Sequence, residues 1–420
     1  MSTEEKTMLV PKLRFPEFRG AEGWERAFLG DLSEVVRGGS PRPIDGFLTT
    51  AADGLNWLKI GDVDKEAKYV THTEEKVRPE ALSKTRVVSP GDLILSNSMS
   101  FGRPYILQIK TCIHDGWIAI TRIAKEAERD FLYYSISAPS SQSYFVDNAA
   151  GSGVQNLNAD IIKALLVCFP SPTEQQKIAD CLSSLDELIA EQGRKVEALK
   201  THKKGLMQQL FPREGETQPR LRFPEFQNTG EWIQKAIGDV AEVLMCKRIF
   251  AEETNPSEGV PFYKIGTLGD VPDAFISREK FEDYKSRYNY PRTGEVLITC
   301  SGTVGKCLSF DGQDAYFQDS NIVWLDNPTG EVSNEFLLMF LSNVNWGTLN
   351  STTITRIYGP DLRGLVIKYP VDDLEQRRIT LCLSSIDTLI TAAIQELEAL
   401  KTHKKGLMQQ LFPSVEAVNA

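Results

Sequence analysis

The sequence predicts an α+β protein in which two α/β domains, in a pseudo-twofold arrangement, are joined by two long antiparallel coiled-coil helices. Three observations predict it. The string EALKTHKKGLMQQLFP occurs twice without a substitution, at Glu197–Pro212 and Glu398–Pro413. The rest of the chain repeats more loosely in the same order. Each identical string also closes a stretch in which apolar residues recur every three or four positions. We call the two α/β domains the first and second heads.

The looser repeat extends over nearly all of the 420 residues. LRFPEF stands at Leu13–Phe18 and again at Leu221–Phe226, and the turn-strand segment PGDLILS at Pro90–Ser96 aligns with TGEVLIT at Thr293–Thr299. These matches predict a first head, its helix, a linker with the second head, a second helix and a tail. The corresponding ranges are 1–170, 171–212, 213–370, 371–413 and 414–420.

The helices carry a heptad seam, with Gln192, Lys203 and Lys404 as its polar members. Its apolar members are Ile178, Leu182, Leu185, Ile189, Val196, Leu199, Leu206 and Leu210 in the first helix, and Ile379, Leu383, Ile386, Ile390, Leu397, Leu400, Leu407 and Leu411 in the second. Each large apolar side chain left in water would forgo roughly 1.5–3 kcal/mol of burial, so each seam needs a partner. Each helix could pack on its own head; we favour pairing of the two helices because their seams match.

The helix ends have recognisable signals. Thr173 with Gln176, and Asp372 with Glu375, predict capping boxes at the two starts. Prolines follow both ends. Gly205 and Gly406 cost each helix about 1 kcal/mol relative to alanine, which indicates either a close backbone approach or a mild bend.

Within the heads, apolar runs predict strands, each head also carrying one helical stretch. The predicted elements are Leu55–Ile60, Asp92–Ser96, Tyr105–Ile109, Trp117–Ile123 and the helix Glu128–Ser137, with counterparts at Val260–Ile265, Glu295–Thr299, Asn321–Leu325 and Glu335–Leu341. The loops between them differ far more than the helices do. Matched helices with altered heads suit a chain that binds two copies of one partner and two different targets.

Composition narrows the class of protein. A hydrophobic fraction of 41% and a charged fraction of 25% are ordinary for a globular chain. The seven scattered cysteines predict reduced thiols rather than a zinc site. No apolar run approaches a membrane span or a signal peptide, so we expect a cytoplasmic protein. The net charge of −10 lowers the expectation of nucleic-acid binding, although totals conceal local patches.

These strings resemble the specificity subunits of type I restriction-modification systems, and the helix ends resemble the branch called type IC. The resemblance rests on LRFPEF with its following tryptophan, the PGDLILS strand, the GSGVQNLN loop, the EQQKIA helix start and the LKTHKKGLMQQLFP helix end. It implies that each head is a target recognition domain for one part of a bipartite double-stranded DNA site. The implied partners are two modification (methyltransferase) subunits and two restriction (endonuclease/translocase) subunits, which would carry S-adenosylmethionine, ATP and Mg; no cofactor is expected in this chain.

Catalytic motifs do not fit the sequence, so we expect no enzyme activity. Ser301–Cys307 imitates a phosphate-binding loop but lacks its first glycine and final hydroxyl, so its glycines are expected to form a turn. Glu66 and Lys68, with Asp53 upstream, imitate a nuclease carboxylate set. We interpret that segment as a solvated charged turn.

The diverged loops supply the candidate DNA contacts, since base edges and phosphates are bound by such polar and cationic groups. The candidates are Ser40, Arg42, Lys59, Asn97, Ser98, Arg103, Ser152, Gln155 and Asn156 in the first head, and Lys247, Arg248, Lys264, Ser301, Thr303, Lys306, Thr352, Thr355 and Arg356 in the second. Any one of them could instead be an ordinary turn residue. Gly38 and Gly39 are expected to permit tight turns.

Two other functional classes stay open at this point. A scaffold that binds proteins with both heads would suit the acidic net charge. A self-contained enzyme is the weakest hypothesis, because no constellation of residues supports it. Salt dependence would separate DNA binding from the scaffold, because phosphate contacts release counterions.

Overall fold

The computed structural model describes residues 10–97, 101–149, 157–213, 215–346 and 356–413. The chain divides into two compact units, residues 1–194 with 395–420, and residues 195–394. We call them the first and second units. Each holds one head, the start of the helix that follows this head and the end of the other long helix. Across the described ranges, no helix has the length and apolar character needed to cross a membrane.

The described part of the first unit contains three sheets. Its strands are β1 (Glu25–Phe28), β2 (Glu34–Arg37), β3 (Leu48–Thr49), β4 (Leu55–Leu58), β5 (Tyr69–Val70), β6 (Glu75–Val77), β7 (Arg86–Val88), β8 (Leu93–Ser96), β9 (Pro104–Leu107), β10 (Thr111–Ile113), β11 (Trp117–Thr121) and β12 (Leu166–Phe169). β1 pairs with β12, and two five-stranded sheets have the orders β3-β6-β4-β10-β7 and β2-β11-β8-β9-β5. Apolar runs fill the central strands, so Leu93 and Ile118 are fully buried.

Helices cover these sheets and lead out of the head. They are α1 (Leu29–Leu32), α2 (Arg129–Ser137), α3 (Pro139–Asn148), α4 (Ala159–Lys163) and the long helix α5 (Pro172–Leu210). The side chain of Glu128 caps α2 by accepting a hydrogen bond from the amide of Phe131. Asn158 caps α4 in the same way.

The second unit repeats this plan with fewer strands. Its strands are β13 (Ile233–Ala236), β14 (Glu242–Leu244), β15 (Val260–Tyr263), β16 (Phe275–Ile276), β17 (Val296–Thr299), β18 (Cys307–Ser309), β19 (Tyr316–Phe317), β20 (Ile322–Asp326) and β21 (Val366–Tyr369). Its helices are α6 (Ile237–Val240), α7 (Arg278–Arg287), α8 (Asn334–Leu341), α9 (Gly359–Gly364) and the long helix α10 (Asp373–Leu411). The sheets are β13-β21, β14-β20-β17-β18 and β16-β15-β19.

The predicted fold class is confirmed in its two mixed α/β heads and its two long helices. All of the predicted strands form, with ends that differ by a few residues. The predicted helix Glu128–Ser137 is α2, and the predicted helix Glu335–Leu341 is α8. Helix α7 has no counterpart in the predicted elements, because its charged sequence REKFEDYKSR has only a single fully buried residue, Phe281.

The two long helices run antiparallel within each unit. In the first unit Gln192 donates a 2.8 Å hydrogen bond to Glu396, and Asp186 contacts Lys404. Residue numbers therefore increase in opposite directions along the two helices. In the second unit Lys203 lies 2.6 Å from Asp387, which repeats the Lys404–Asp186 contact. Each polar member of the seam therefore binds an acidic side chain of the other helix. All sixteen apolar seam positions are buried or half-buried.

The seam also packs on the heads, so the two packing arrangements considered from the sequence coexist. Ile178 and Leu182 of α5 belong to the core of the first head together with Met408 and Leu411 of α10. The second core repeats this mixture, with Ile379 and Leu383 beside Met207 and Leu210. Each head is thus completed by the start of one helix and the end of the other.

The predicted capping boxes are wrong in detail. Helix α5 begins at Pro172, and the amides of Glu174 and Gln175 donate to the backbone carbonyl of Ser171, so Thr173 already lies inside the helix. At α10 Asp372 does cap, accepting a 2.9 Å hydrogen bond from the amide of Leu374. Glu375 does not complete a box, because its carboxylate is bound by Arg222.

The helix ends explain part of the identity of the repeated strings. Phe412 packs 5.4 Å from the ring of Phe131 in the first head, and Phe211 packs 5.3 Å from the ring of Phe336 in the second. The string's Gln209 and Gln410 accept backbone hydrogen bonds from Leu221 and Leu13 respectively. Core packing therefore requires the apolar end of each string to be the same.

Other positions of the strings have no such reason within the chain. Thr201, His202 and Gln208 are exposed, as are their counterparts in the second string. A Cβ atom added at Gly205 or Gly406 would meet nothing within 4 Å. Among the residues that the structure describes, none therefore packs closely against the position of a side chain at either glycine.

A buried ion pair fixes each head to the start of its own helix. Arg14 donates two hydrogen bonds of 2.8 and 2.7 Å to the carboxylate of Glu174, whose side chain is 1% exposed. Arg222 and Glu375 repeat this with two bonds of 2.7 Å. The two parallel hydrogen bonds of each pair satisfy the carboxylate at a position that water does not reach. The arginine of each LRFPEF motif is therefore the anchor of its head.

We expect Glu174→Leu to lower the free energy of unfolding of the first unit by about 3–5 kcal/mol, because it leaves the Arg14 guanidinium buried without its partner. The double variant Arg14→Met, Glu174→Leu should lose less, because neither charge remains. Glu398→Ala, which breaks the exposed pair with Lys401 in the same unit, is the control and should cost about 1 kcal/mol or less. Hydrogen exchange of core amides in the first unit measures the difference. Equal losses for Glu174→Leu and Glu398→Ala would contradict the anchor.

Candidate functional site

The loops predicted to bind a ligand converge in the first head on one aspartate. Asp115 lies just before β11, in the turn His114-Asp115-Gly116. Its carboxylate accepts a 2.6 Å hydrogen bond from the Ser40 hydroxyl and lies 3.3 Å from the Arg42 guanidinium. The hydrogen bond from Ser40 lowers the pKa of Asp115, so the group stays ionised near neutral pH. Asp115 therefore orders the loop after β2.

The same turn also holds neighbouring backbone. The carbonyl oxygen of Asp115 accepts hydrogen bonds of 2.9 Å from the guanidinium of Arg37 and from the side-chain amide of Asn97. A Cβ atom at Gly38 would lie 2.1 Å from the His114 carbonyl oxygen, and one at Gly39 would lie 2.7 Å from that of Lys84. The two glycines were predicted to permit tight turns; they instead allow this close approach of neighbouring backbone.

Three predicted residues line one pocket of about 370 Å³, namely Ser40, Arg42 and Lys59. His114 and the buried Trp57 form other parts of its wall. Arg42 has a side chain that is 82% exposed, and Lys59 lies 2.9 Å from Glu75. Exposed ion pairs contribute roughly 0–1 kcal/mol, so either cation can exchange its carboxylate for another anion. The pocket can offer hydrogen-bond donors and positive charge to an anionic ligand.

The second head builds its loops on the same backbone hydrogen bonds. In the first head the backbone amide of Asn97 donates to the carbonyl of Gly116, and the amide of Leu157 donates to the carbonyl of Asn97. In the second head the amide of Cys300 likewise donates to the carbonyl of Asn321, and the amide of Ile357 donates to the carbonyl of Cys300. The turn before β20, at Gln318–Asn321, therefore corresponds to the turn before β11. The framework is shared although the side chains differ.

Predicted residues again surround this turn. Arg248 donates a 2.9 Å hydrogen bond to Asp319, and Ser301 donates a 2.8 Å bond to the side chain of Asn321. Arg356 donates a 3.2 Å bond to the carbonyl oxygen of Ser320. Three candidates that are far apart in the sequence thus meet at one place in the second head.

Four other candidates of the second head, Lys247, Lys264, Thr303 and Lys306, lie in its loops. Lys264 pairs with Asp273 at 3.0 Å, and the Lys247 ammonium lies 5.4 Å from the centre of the Tyr288 ring. Thr303 donates a 3.2 Å hydrogen bond to the carbonyl of Ile265, and Lys306 donates to the carbonyl of Leu268. Lys247 and Lys264 are charged groups of the loops. Thr303 and Lys306 connect the β17–β18 turn to the segment after β15, which contains Ile265 and Leu268.

Some first-head candidates stand apart from the Asp115 turn. The side chain of Asn97 is buried, with 2% exposed, and its amide is committed to Asp115, so it supports the loops from inside. Arg103 lies 3.4 Å from Glu66 and lines a separate groove of about 1210 Å³. Six candidates fall outside the described residues: Ser98, Ser152, Gln155, Asn156, Thr352 and Thr355.

Sequence reasoning missed the residues that organise the site. Asp115, His114 and Arg37 were not among the candidates, although Asp115 binds Ser40, His114 lines the pocket and Arg37 binds the Asp115 carbonyl oxygen. The available signal was the Asp-Gly pair directly before an apolar strand, which is typical of an ordinary turn. The same pattern marks many structural turns, so it did not indicate a ligand.

The imitations of catalytic motifs have structural explanations. Ser301–Cys307 forms the turn between β17 and β18, with Gly302 and Gly305 at positive φ, and a strand follows it rather than a helix. The prediction of a solvated charged turn is wrong for Lys68, whose side chain is only 9% exposed. Within the described ranges, no three histidine, cysteine, aspartate or glutamate side chains are grouped to hold a metal ion. None of the seven cysteines is paired in a disulfide.

A family model described as the type I restriction modification DNA specificity domain matches the chain twice, at residues 21–201 and 229–401. Each match spans one head with its loop framework. The chain belongs to this family of type I restriction-modification specificity subunits. The function implied by the resemblance, DNA sequence recognition in such a system, is thereby confirmed.

Individual relatives agree with this specificity-subunit family. A Haemophilus influenzae protein, named provisionally as a type I restriction enzyme specificity subunit, is 45% identical over 161 residues, which are 38% of this chain and 42% of that protein. The MjaVIII specificity subunit of Methanocaldococcus jannaschii is 22% identical over 95% of both chains. The crystal structure of the S subunit from M. genitalium shares the fold, with a TM-score of 0.58 and 16% identity over 96% of this chain and 99% of that chain.

We expect the stability of the first head to decrease as the pH falls below about 6.5, the ordinary pKa of histidine. Burial lowers the pKa of His114 despite the nearby carboxylates of Asp115 and Asp62, and its Nδ1 accepts a 2.8 Å hydrogen bond from the Gly116 amide. The unfolded chain therefore binds the proton more readily, and protonation favours unfolding.

The variant His114→Asn keeps an acceptor in place of Nδ1 but cannot titrate, so its midpoint of thermal unfolding should change less between pH 7.5 and 5.5. The exposed His72 supplies the control, since His72→Asn should keep the wild-type pH dependence. Identical pH profiles for wild type and His114→Asn would contradict the role of His114.

Proposed function

We propose that each head reads one part of a bipartite site on double-stranded DNA, and that this chain directs partner subunits to that site. The support is the pair of loop sets on one shared framework. The first set presents Ser40, Arg42 and Lys59, whereas the second presents Arg248, Ser301 and Arg356. Identical frameworks with different donors and acceptors suit two different base sequences.

The contacts within the free protein fit a binding surface that exchanges partners. Arg42, Lys59, Arg248 and Lys264 all pair with carboxylates at or near the surface. DNA phosphates and base acceptors can replace those carboxylates at little cost, because exposed ion pairs contribute roughly 0–1 kcal/mol. The carboxylates also oppose unspecific attraction to DNA. These exchangeable cations account for DNA binding by a chain whose net charge is −10.

The chemistry of modification and cleavage is proposed to lie in the partners. Two modification subunits would carry S-adenosylmethionine and methylate adenine, and two restriction subunits would use ATP and Mg for cleavage. The exposed identical residues of the two strings, Thr201, His202 and Gln208 with their counterparts, support two equal docking surfaces for one kind of partner. This chain would contribute recognition and no catalytic residue.

The test is to assemble the full-length chain with its modification subunits and to map methylated adenines in a DNA library. We expect one bipartite motif with a fixed gap. Exchange of residues 13–170 for the equivalent head of a relative should change one half of the motif and leave the other unchanged. A single continuous motif, or changes in both halves after the exchange, would contradict the proposal.

We expect Arg42→Ala to weaken recognition of one half-site and Arg248→Ala to weaken the other. A lost bidentate contact to a base should reduce discrimination at one position by about 1–3 kcal/mol. A lost phosphate contact should instead weaken binding to all sequences and reduce the salt slope by about 1. Quantitative binding at several salt concentrations, with a library randomised in both half-sites, distinguishes these two outcomes.

Arg220→Ala is the matched control. Arg220 pairs with Glu216 at 2.7 Å, outside both loop sets, so this variant should keep the wild-type motif and salt slope. If Arg42→Ala and Arg248→Ala both behave like the control, the two arginines are not part of the DNA interface.

A further inference from the structure

Lys68 lies outside the loop set around Asp115, yet its side chain makes three polar contacts with other elements of the first unit. It comes just before the short edge strand β5, and its carbonyl accepts a 2.9 Å hydrogen bond from the amide of Ile106 in β9. Its side chain is 9% exposed. The strand therefore directs a cation inward rather than into solvent.

The Lys68 ammonium is bound on all sides by the head and by helix α5. It lies 2.8 Å from Asp130 and 3.2 Å from the Tyr134 hydroxyl, both in α2, and 2.9 Å from the Ser183 hydroxyl in α5. It also lies 4.7 Å from the centre of the Tyr134 ring. A buried ammonium needs such a set of acceptors, because each unmade bond would cost free energy.

The network continues into both long helices. The Tyr134 hydroxyl donates a 2.6 Å hydrogen bond to Asp186 of α5, and Lys404 of α10 contacts the same carboxylate. Burial and the bond to Asp186 raise the pKa of Tyr134, so the hydroxyl keeps its proton. Lys68, Tyr134, Asp186 and Lys404 thus connect the head to α5 and α10, and we call them with Asp130 and Ser183 the Lys68 network.

The position of this network along α5 gives it a mechanical role. The first attachment of the head is the Arg14–Glu174 pair at the start of the helix. Ser183 and Asp186 follow Glu174 by nine and twelve residues, which is roughly 14–18 Å along a helix. Ile178 and Leu182 of α5 pack in the core of the head between these two polar attachments. The Lys68 network therefore extends further along α5 the region in which the orientation of the head is fixed.

The second unit keeps the first attachment but has changed the second. Arg222–Glu375 repeats the anchor, and Lys203–Asp387 repeats the contact between the helices. From the alignment of α8 with α2, Met339 stands where Tyr134 stands, so the hydroxyl is missing. Within the described ranges, β18 ends its sheet, whereas the corresponding β9 pairs with β5.

We propose that Lys68 is a positioning residue that fixes the orientation of the first head on the long helices and thereby sets the accepted gap between the two half-sites. The inference rests on the proposed function. One base pair moves a half-site by roughly 3.4 Å along the duplex, so a small tilt of one head changes which gap fits. Lys68 acts through the placement of the loops and does not itself touch DNA.

The test uses the complete complex with the modification subunits and three DNA duplexes whose half-sites are separated by the native gap or by one base pair less or more. The readout is the ratio of methylation rates between native and altered gaps. We expect Lys68→Met to reduce this ratio about tenfold while both half-site sequences stay the same. Tyr134→Phe, which keeps the ring but removes the hydroxyl, should change the ratio in the same direction by a smaller factor.

Lys177→Met is the matched control, because Lys177 also lies near an aromatic ring, that of Phe15, and pairs with Glu17 at 3.3 Å outside the network. It should keep the wild-type ratio. Thermal unfolding verifies that each variant is folded, and Tyr134→Phe decides the question if Lys68→Met does not fold. An unchanged ratio, or an equal loss of rate at all three gaps, would overturn the inference.

A different result would point to the proposed function instead. If the wild-type complex methylates none of the three bipartite duplexes, bipartite recognition fails, and the positioning role fails with it. If the wild type discriminates between gaps and the folded Tyr134→Phe and Lys68→Met variants discriminate equally well, bipartite recognition stands and the role of Lys68 is wrong.

Discussion

The structure depends on one constraint, which is that each head needs the end of a helix that began in the other unit to complete its core. Helix α5 starts beneath the first head and ends among the core residues of the second, and α10 does the reverse. Phe412 packs on Phe131, and Phe211 packs on Phe336 and Trp232. An apolar end of this size cannot remain in water without losing several kcal/mol of burial. Each head therefore shares its core with residues of both long helices.

This constraint explains the contrast between constant and variable parts. The repeated strings must present the same apolar residues because each packs in a similar core, and the arginine anchors must present the same charge because each binds a buried glutamate. The loops around the two turns have no such requirement. Their backbone hydrogen bonds are kept, as those of Asn97 and Cys300 illustrate, while the side chains at the surface are free to differ. Recognition can thus change without disturbing the fold.

The sequence predicted what depends on local pattern. Apolar runs such as Leu93–Ser96 and the seam of α5 identify buried faces without further information. Contacts between distant charged residues were not predictable in this way. Asp115 is an ordinary turn residue until its partners Ser40 and Arg42 are known, and a buried Lys68 contradicts the usual exposure of lysine. Glu375 was assigned to a helix cap from its local position, because its partner Arg222 lies 153 positions away and is not evident from the neighbouring sequence. Tertiary pairing overrode the local pattern at each of these residues.

The exchange of helix ends also imposes an order on synthesis. When the ribosome has made the second head and the start of α10, Met207 and Leu210 are already available to fill the second core. The first head waits much longer, because Met408, Leu411 and Phe412 are made more than two hundred residues after its own strands. Until then Ile178 and Leu182 lack their final neighbours. The half that is translated first is the half that is finished last.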